Sequence, residues 1–162
     1  CKEMVSRLTI LQHCHVCNHV LHMVDLVPGV AESLQVTFLV NVTNTALPPG
    51  MATGMYDLEG CEDKLFLCGH PLQPGGPVVF YVKLLSQDKN KKYPVKLKVS
   101  NISGTICRAF IGETLKLEDN AAAAMENTLE MSADNMKKMM VDKGGRIVGI
   151  KIILTVKDII FI

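Results

Sequence analysis

The chain has 162 residues, of which 48% are hydrophobic, and a formal net charge of +1. This length corresponds to about one domain, and the apolar content is enough for a packed core, which excludes a largely disordered chain. A nearly neutral chain with 5% aromatic residues and no Trp has no electrostatic or stacking basis for binding nucleic acid or an anionic membrane. The most hydrophobic region, at 146–162, is interrupted by charged residues that are costly in lipid. We therefore predict a single domain over 1–162 that has neither nucleic acid nor a membrane as partner.

Residues 1–21 are predicted to form a loosely ordered N-terminal arm. This arm contains "HCHVCNH" at 13–19, in which Cys14 and Cys17 could supply two thiolates to a zinc ion. A zinc site needs a second ligand pair at a suitable distance, and the sequence has none. We therefore expect neither a metal nor another cofactor.

Strands are predicted next along the chain. β-branched residues in partial alternation indicate a strand at 34–43, which the two prolines of "ALPPG" end. Three further apolar segments follow, separated by polar turns, and we predict that they form an antiparallel meander. These segments are "VVFYVKLL", "YPVKLKVSNI" and "GTICRAFIGETLKL".

A long helix is predicted to begin at Asp119 or Asn120, either of which can cap it, and to run through the four alanines that follow. Apolar residues at helical spacing form one stripe on this segment, and Gly144 or Gly145 can end it. The last strand is almost continuously apolar, which is typical of a central strand. We therefore predict an α+β fold, with an antiparallel sheet, helices packed on one face and a ferredoxin-like arrangement. The stripe consists of Met125, Leu129, Ala133, Met136 and Met140.

Asp134 and Lys137 lie three residues apart, so on a helix they share one side. They border the apolar stripe, where partial desolvation would shift both pKa values towards acid–base catalysis. A solvated surface ion pair is the simpler interpretation of this spacing. A third candidate is His70 in "LCGHPL" at 67–72, because the neighbouring proline stiffens the backbone and can aim the imidazole at a substrate.

Several of these motifs together resemble the cyclic pyranopterin monophosphate synthase family of molybdenum cofactor biosynthesis. They are "HMVD" at 22–25, "LCGHPL" at 67–72, and the Ala-rich segment ending in "MSADNMKKMM" with "GGRIVGIKIILTVK" behind it. The chain departs from the family pattern at Gly69, which is inserted into the Cys-His-Pro motif, and at Lys116, where a glutamate is expected.

The resemblance implies a lyase that converts a cyclised dihydro-GTP intermediate into cyclic pyranopterin monophosphate. Its partner would be this nucleotide-derived small molecule, and the family implies a cytoplasmic homohexamer. By resemblance, Asp134 and Lys137 are the catalytic pair, and a lysine with a lowered pKa can exchange protons at neutral pH. The substrate-binding residues carried over in the same way are His70, Cys68, Glu118 and Lys157.

A second resemblance supports an alternative function. The order of the six cysteines and the segment "YPVKLKVSNISGTIC" are similar to the secreted MD-2-related lipid-recognition β-sandwiches, which implies a lipid or sterol ligand. This interpretation leaves the chain after residue 118 without a role, so we rank it second. It would require paired cysteines, whereas we predict free thiols.

Overall fold

The computed structural model describes the side chains of residues 63–156, together with the backbone at 21–24, 33–40, 52–58 and 157. The predicted arm with its histidine and cysteine cluster lies outside this part, except for the backbone of Leu21. Within it, no helix is long and apolar enough to cross a bilayer.

Ten strands form two sheets in the described part of the chain. The larger sheet contains β1 (Leu21–Val24), β3 (Ala52–Leu58), β4 (Lys64–Pro71), β5 (Val78–Leu85) and β8 (Leu115–Lys116) in that spatial order, and β9 (Leu129–Met131) also pairs with β5. The smaller sheet has the order β2 (Ser33–Val40), β10 (Ile150–Lys157), β6 (Pro94–Asn101) and β7 (Cys107–Glu113). Most pairings are antiparallel, and the exceptions are β1 with β3 and β5 with β8.

The two sheets contribute to one hydrophobic core, so the fold is a β-sandwich. On β6 and β10 every second residue is fully buried, as expected for strands that turn one face towards a core. Strand β10 is central in its sheet, between β2 and β6, as its apolar sequence predicted. The buried residues of the larger sheet that join this core include Leu65, Leu67, Phe80, Val82, Leu129 and Met131.

Strand β5 is buried on both faces. Its second face carries Val79 and Tyr81, which pack against Leu115 and Ala121. We name residues 117–127 the cover segment, because Ala121, Ala124 and Met125 in it pack on this outer face of the larger sheet. Two short 3-10 turns, Ala121–Ala123 and Met125–Asn127, belong to it.

The predicted meander is wrong in its pairing. Strands β6 and β7 do form an antiparallel hairpin, but β5 pairs with β4, β8 and β9 and belongs to the other sheet. The polar segment 86–93 therefore crosses between the sheets. Strand β5 is buried on both faces and β6 on one face, so the two strands can belong to different sheets. The periodicity of apolar residues alone does not show to which sheet a strand belongs.

The predicted long helix is also wrong over most of its length. The one α-helix in the described residues, α1 (Ala133–Met139), has seven residues and begins after the N-cap Ser132, whose hydroxyl accepts from the Asn135 amide at 3.2 Å. Residues 129–131 form β9 instead, because pairing with β5 buries Leu129 and Met131 while Glu130 stays exposed. The pairing of β9 with β5 outweighs the helix propensity of the alanines that precede β9. The fold is thus mostly β-sheet with little helix, and the ferredoxin-like arrangement is not confirmed.

A buried polar network joins the crossing segment to the larger sheet. The Tyr93 hydroxyl donates to a carboxylate oxygen of Asp63 at 2.5 Å, and the Lys91 ammonium lies 2.7 Å from the same oxygen. Tyr93 and Thr114 are also joined by two hydrogen bonds, because the Tyr93 amide donates to the Thr114 hydroxyl and the Thr114 amide donates to the Tyr93 carbonyl. Both Tyr93 and Asp63 are buried, so their bonds are made in a medium where losing a donor is costly.

We therefore expect Tyr93→Phe to lower the free energy of unfolding by about 1–3 kcal/mol, because the buried carboxylate loses one charge-assisted bond. Urea unfolding followed by circular dichroism measures this. Tyr81→Phe is the matched comparison, since it removes a hydroxyl bonded to the His70 ring instead of a buried carboxylate and should cost less, about 0.5–1.5 kcal/mol. A smaller loss for Tyr93→Phe than for Tyr81→Phe would contradict the role of the network.

Candidate functional site

The first group of predicted site residues lies on the outer face of β4 and β5. Cys68 and His70 alternate along β4, and Cys68 is directly opposite Tyr81 on β5. Because strand side chains alternate with a period of two, Cys68, His70, Tyr81 and Lys83 share one face. The structure thus brings together two of the four predicted substrate-binding residues. We name these four residues the outer-face cluster.

Hydrogen bonds determine the state of His70. Its Nδ1 lies 2.9 Å from the Pro71 carbonyl oxygen, which can only accept, so Nδ1 is the donor. In the neutral imidazole, Nε2 is then an acceptor, and it lies 2.9 Å from the Tyr81 hydroxyl, which donates to it. The two rings meet edge-on, with centroids 5.6 Å apart. Both ring nitrogens are therefore used within the protein, and a substrate would have to displace Tyr81.

The Cys68 thiol is not activated. Burial raises its pKa to about 11, and the opposing effect of the nearby Lys83 ammonium is smaller. Burial likewise raises the pKa of Tyr81, with Cys68 adding to the effect. Since the thiolate is the nucleophilic form, Cys68 is a poor nucleophile at neutral pH.

Lys83 connects the outer-face cluster to the cover segment. Its ammonium donates to the Leu117 carbonyl at 2.8 Å and lies 5.9 Å from the centre of the Tyr81 ring. Glu118 directly follows Leu117 and is exposed, so it lies on the cover segment, outside the cluster. The outer-face cluster is thus a hydrogen-bonded layer that Lys83 joins to the cover segment.

The predicted catalytic pair lies on the solvent-exposed side of α1. Asp134 and Lys137 are both exposed, whereas Met136 and Met139 on the other side of the helix are buried. The predicted partial desolvation is therefore wrong. Among the described side chains, no ion pair within 4.0 Å joins the two residues. Asp134 lies in the first turn and Lys137 in the last turn, where each charge complements the helix dipole.

Lys157 lies in the other sheet. It ends β10, where its backbone is opposite Ser33 of β2, and its side chain is outside the described residues. The six predicted residues thus occupy three places: the outer face with the cover segment, helix α1, and the end of β10.

A second candidate site, which the sequence analysis missed, is a cleft of about 820 Å³ at one end of the sandwich. We name it the end cleft. One wall is the β6–β7 turn, and the other is the segment between α1 and β10. Its lining residues are Asn101, Ile102, Ser103, Thr105, Ile106, Lys138, Val141, Asp142, Lys143, Gly144, Arg146 and Val148.

The first wall is shaped by Asn101. Its side-chain amide donates to the Thr105 hydroxyl at 2.8 Å, and its side-chain oxygen accepts from the Ile106 amide at 3.0 Å. Gly104 has φ +77°, a left-handed conformation that favours glycine, and it completes the turn. This turn leaves Ile102 and Ile106 exposed by 45% and 43%, which is high for large aliphatic side chains.

The second wall is shaped by Asp142. One carboxylate oxygen accepts from the amides of Gly144 and Arg146, each at 2.9 Å, and the other lies 3.0 Å from the Arg146 Nε. These hydrogen bonds, the one from the Arg146 backbone above all, hold the pKa of the Asp142 carboxyl below its usual value. The loop therefore carries one negative charge, on Asp142, and this carboxylate already pairs with Arg146 of the same loop.

Compared with known proteins, the chain matches no protein-family model and no curated protein.

Two of the six cysteines, Cys68 and Cys107, lie in the described part, and both are free thiols. The prediction of free thiols concerns all six cysteines and stays a prediction. They differ in environment: Cys107 is exposed at the start of β7, whereas Cys68 is half-buried with its pKa raised.

We therefore expect iodoacetamide at pH 7.5 to alkylate Cys107 at least about tenfold faster than Cys68, because Cys68 is mostly protonated and shielded. Peptide mass spectrometry of timed samples measures both rates. The same reaction in denaturant should reduce this difference to less than about twofold, which serves as the control. Equal rates in the native protein would show that the Cys68 thiol is activated after all.

Proposed function

We propose that the protein is a binding module for a small apolar or amphipathic molecule, which it holds in the end cleft. The observation that carries this proposal is the concave surface at the end of the sandwich, which exposes Ile102 and Ile106 to solvent. Its volume lies within the range of about 300–1,000 Å³ that is usual for small-molecule sites. Exposed large aliphatic side chains that line a concavity gain free energy when an apolar ligand covers them.

The two-sheet architecture also supports this proposal. The lipid-recognition alternative implied a β-sandwich, and it ranked second because it gave no role to the chain after residue 118. In the structure, β9 pairs with β5, β10 is central in the smaller sheet, and residues 138–148 form one wall of the end cleft. Residues 129–157 are thus integral to the sandwich, so the objection about the chain after residue 118 no longer applies. The paired cysteines that the resemblance implies are not part of this proposal, because Cys68 and Cys107 are free thiols. The secreted localisation belongs to this proposal.

The lyase remains a second proposal, because Cys68 and His70 do lie together on one face. The cyclised nucleotide substrate, the hexameric assembly and the cytoplasmic localisation belong to it. Its weak point is the state of these side chains: His70 has both nitrogens bonded within the protein, and Asp134 and Lys137 are exposed on another element.

We expect the purified protein to bind a neutral naphthylamine dye whose emission rises in apolar surroundings, and the absence of Trp keeps the background fluorescence low. Ile102→Ser should weaken dye binding about three- to tenfold, since it removes apolar surface from the end cleft. Ile111→Ser is the matched control, because Ile111 is 77% exposed on β7 and does not line the cleft. Equal losses in the two variants, or no dye binding by the wild type, would refute the proposal.

The lyase proposal has its own test, in which Lys137→Ala abolishes formation of cyclic pyranopterin monophosphate from the cyclised intermediate. The variant should fold normally, because alanine favours a helix at least as well as lysine and an exposed charge contributes only a few tenths of a kcal/mol. The readout is product formation, with circular dichroism to check folding. Lys96→Ala, which removes an exposed lysine from β6, is the control. No turnover by the wild type, or full turnover by Lys137→Ala, would remove the proposed role of Lys137.

A further inference from the structure

The charges around the end cleft are unequal. Three cationic residues line it, and Asp142 is the only acid among the lining residues that the structure describes. The Asp142 carboxylate is committed to its own loop and to the Arg146 guanidinium. Lys138 and Lys143 are exposed, and within residues 63–156 neither lies within 4.0 Å of a carboxylate. The rim therefore carries two cationic groups with no acidic partner in that part of the chain.

The apolar and cationic parts of the end cleft come from different walls. Ile102 and Ile106 belong to the β6–β7 turn, whereas Lys138 lies near the end of α1 and Lys143 lies in the segment that follows it. Val141 and Val148 of this second wall also line the cleft. A molecule that fits this surface has an apolar body for the isoleucine wall and an anionic group at one end for the lysines.

We infer that the end cleft binds single-chain amphiphiles with an anionic head, such as a carboxylate or a phosphate monoester. The alkyl chain covers Ile102 and Ile106, and the head lies between Lys138 and Lys143. This inference rests on the proposed function, because it names the ligand class of the same cleft. Lysine offers a flexible point charge, so the site distinguishes anionic from neutral or cationic heads better than one anion from another.

The experiment is displacement of the neutral dye by four ligands that share a ten-carbon chain: decanoate, decyl phosphate, decanol and decyltrimethylammonium. Decanoate and decyl phosphate should bind about five- to tenfold more tightly than decanol, and the cationic ligand more weakly than decanol. The preference for anions should fall in 0.5 M salt, because these lysines are solvent-exposed. If decyl phosphate alone gains affinity, the head is a phosphate, and if decanoate gains equally, the site accepts both.

The double variant Lys138→Gln/Lys143→Gln tests the assigned residues. It should bring the affinity for decanoate to within about twofold of the affinity of the same variant for decanol. Lys96→Gln/Lys98→Gln removes two lysines from β6, outside the end cleft, and is the matched control. Dye binding that no C10 ligand displaces would refute the proposed function. Displacement by decanoate and decyl phosphate that is no stronger than by decanol, or an anion preference that survives the double variant, would refute only this inference.

Discussion

The burial of β5 on both faces is the constraint on which the rest of the larger sheet depends. Phe80 and Val82 point into the core between the sheets, while Val79 and Tyr81 lie beneath the cover segment. A strand removed from water on both sides must have its backbone groups paired along its edges. Strand β4 pairs with it over its whole length on one side, and β8 and β9 share the other side. The cover segment is therefore a structural layer of the domain rather than a surface loop.

This second layer explains the chemistry of the outer-face cluster. The face of β4 that carries Cys68 would be solvated in a simple sandwich, and its thiol would then titrate near its ordinary value. Under the cover segment, burial favours the neutral forms of both Cys68 and Tyr81. The Lys83 ammonium of this cluster already donates to the Leu117 carbonyl, and both nitrogens of His70 are hydrogen-bonded within the protein, so the network stabilises the layer. The proximity of cysteine and histidine is therefore not by itself an indication of nucleophilic catalysis here.

Local patterns predicted five of the ten described strands, and only part of their pairing. The strands β2, β5, β6, β7 and β10 follow from β-branched and alternating apolar residues, and the central place of β10 follows from its continuous hydrophobicity. The helix prediction failed at 119–132 because Leu129, which belongs to the helical stripe, also fits a period of two with Met131. Pairing with β5 decided between these periods, and that is a contact with a segment about fifty residues earlier. The spacing of apolar residues within one segment carries no information about pairing with a distant segment.

The candidate site could be predicted only in part, for a related reason. The positions of Asp134 and Lys137 on one helix were foreseeable, but their exposure depends on which side of α1 meets the core, and the methionines decide that. The end cleft needs two turns, about forty residues apart in sequence, to face each other. In each turn one side chain, Asn101 or Asp142, accepts a hydrogen bond from the backbone of its own loop. Asn and Asp commonly do this in turns, so this part of the site could be predicted from the sequence.

These two bonded turns have a functional consequence. Because Asn101 and Asp142 satisfy the polar groups of their loops, the backbone is held without help from the other side chains. The isoleucines of one wall and the lysines of the other are thus not needed to maintain the turns. Ile102 and Ile106, exposed by 45% and 43%, are therefore available to contact an apolar ligand. A concave surface with an apolar wall and a cationic rim favours a ligand that can satisfy both.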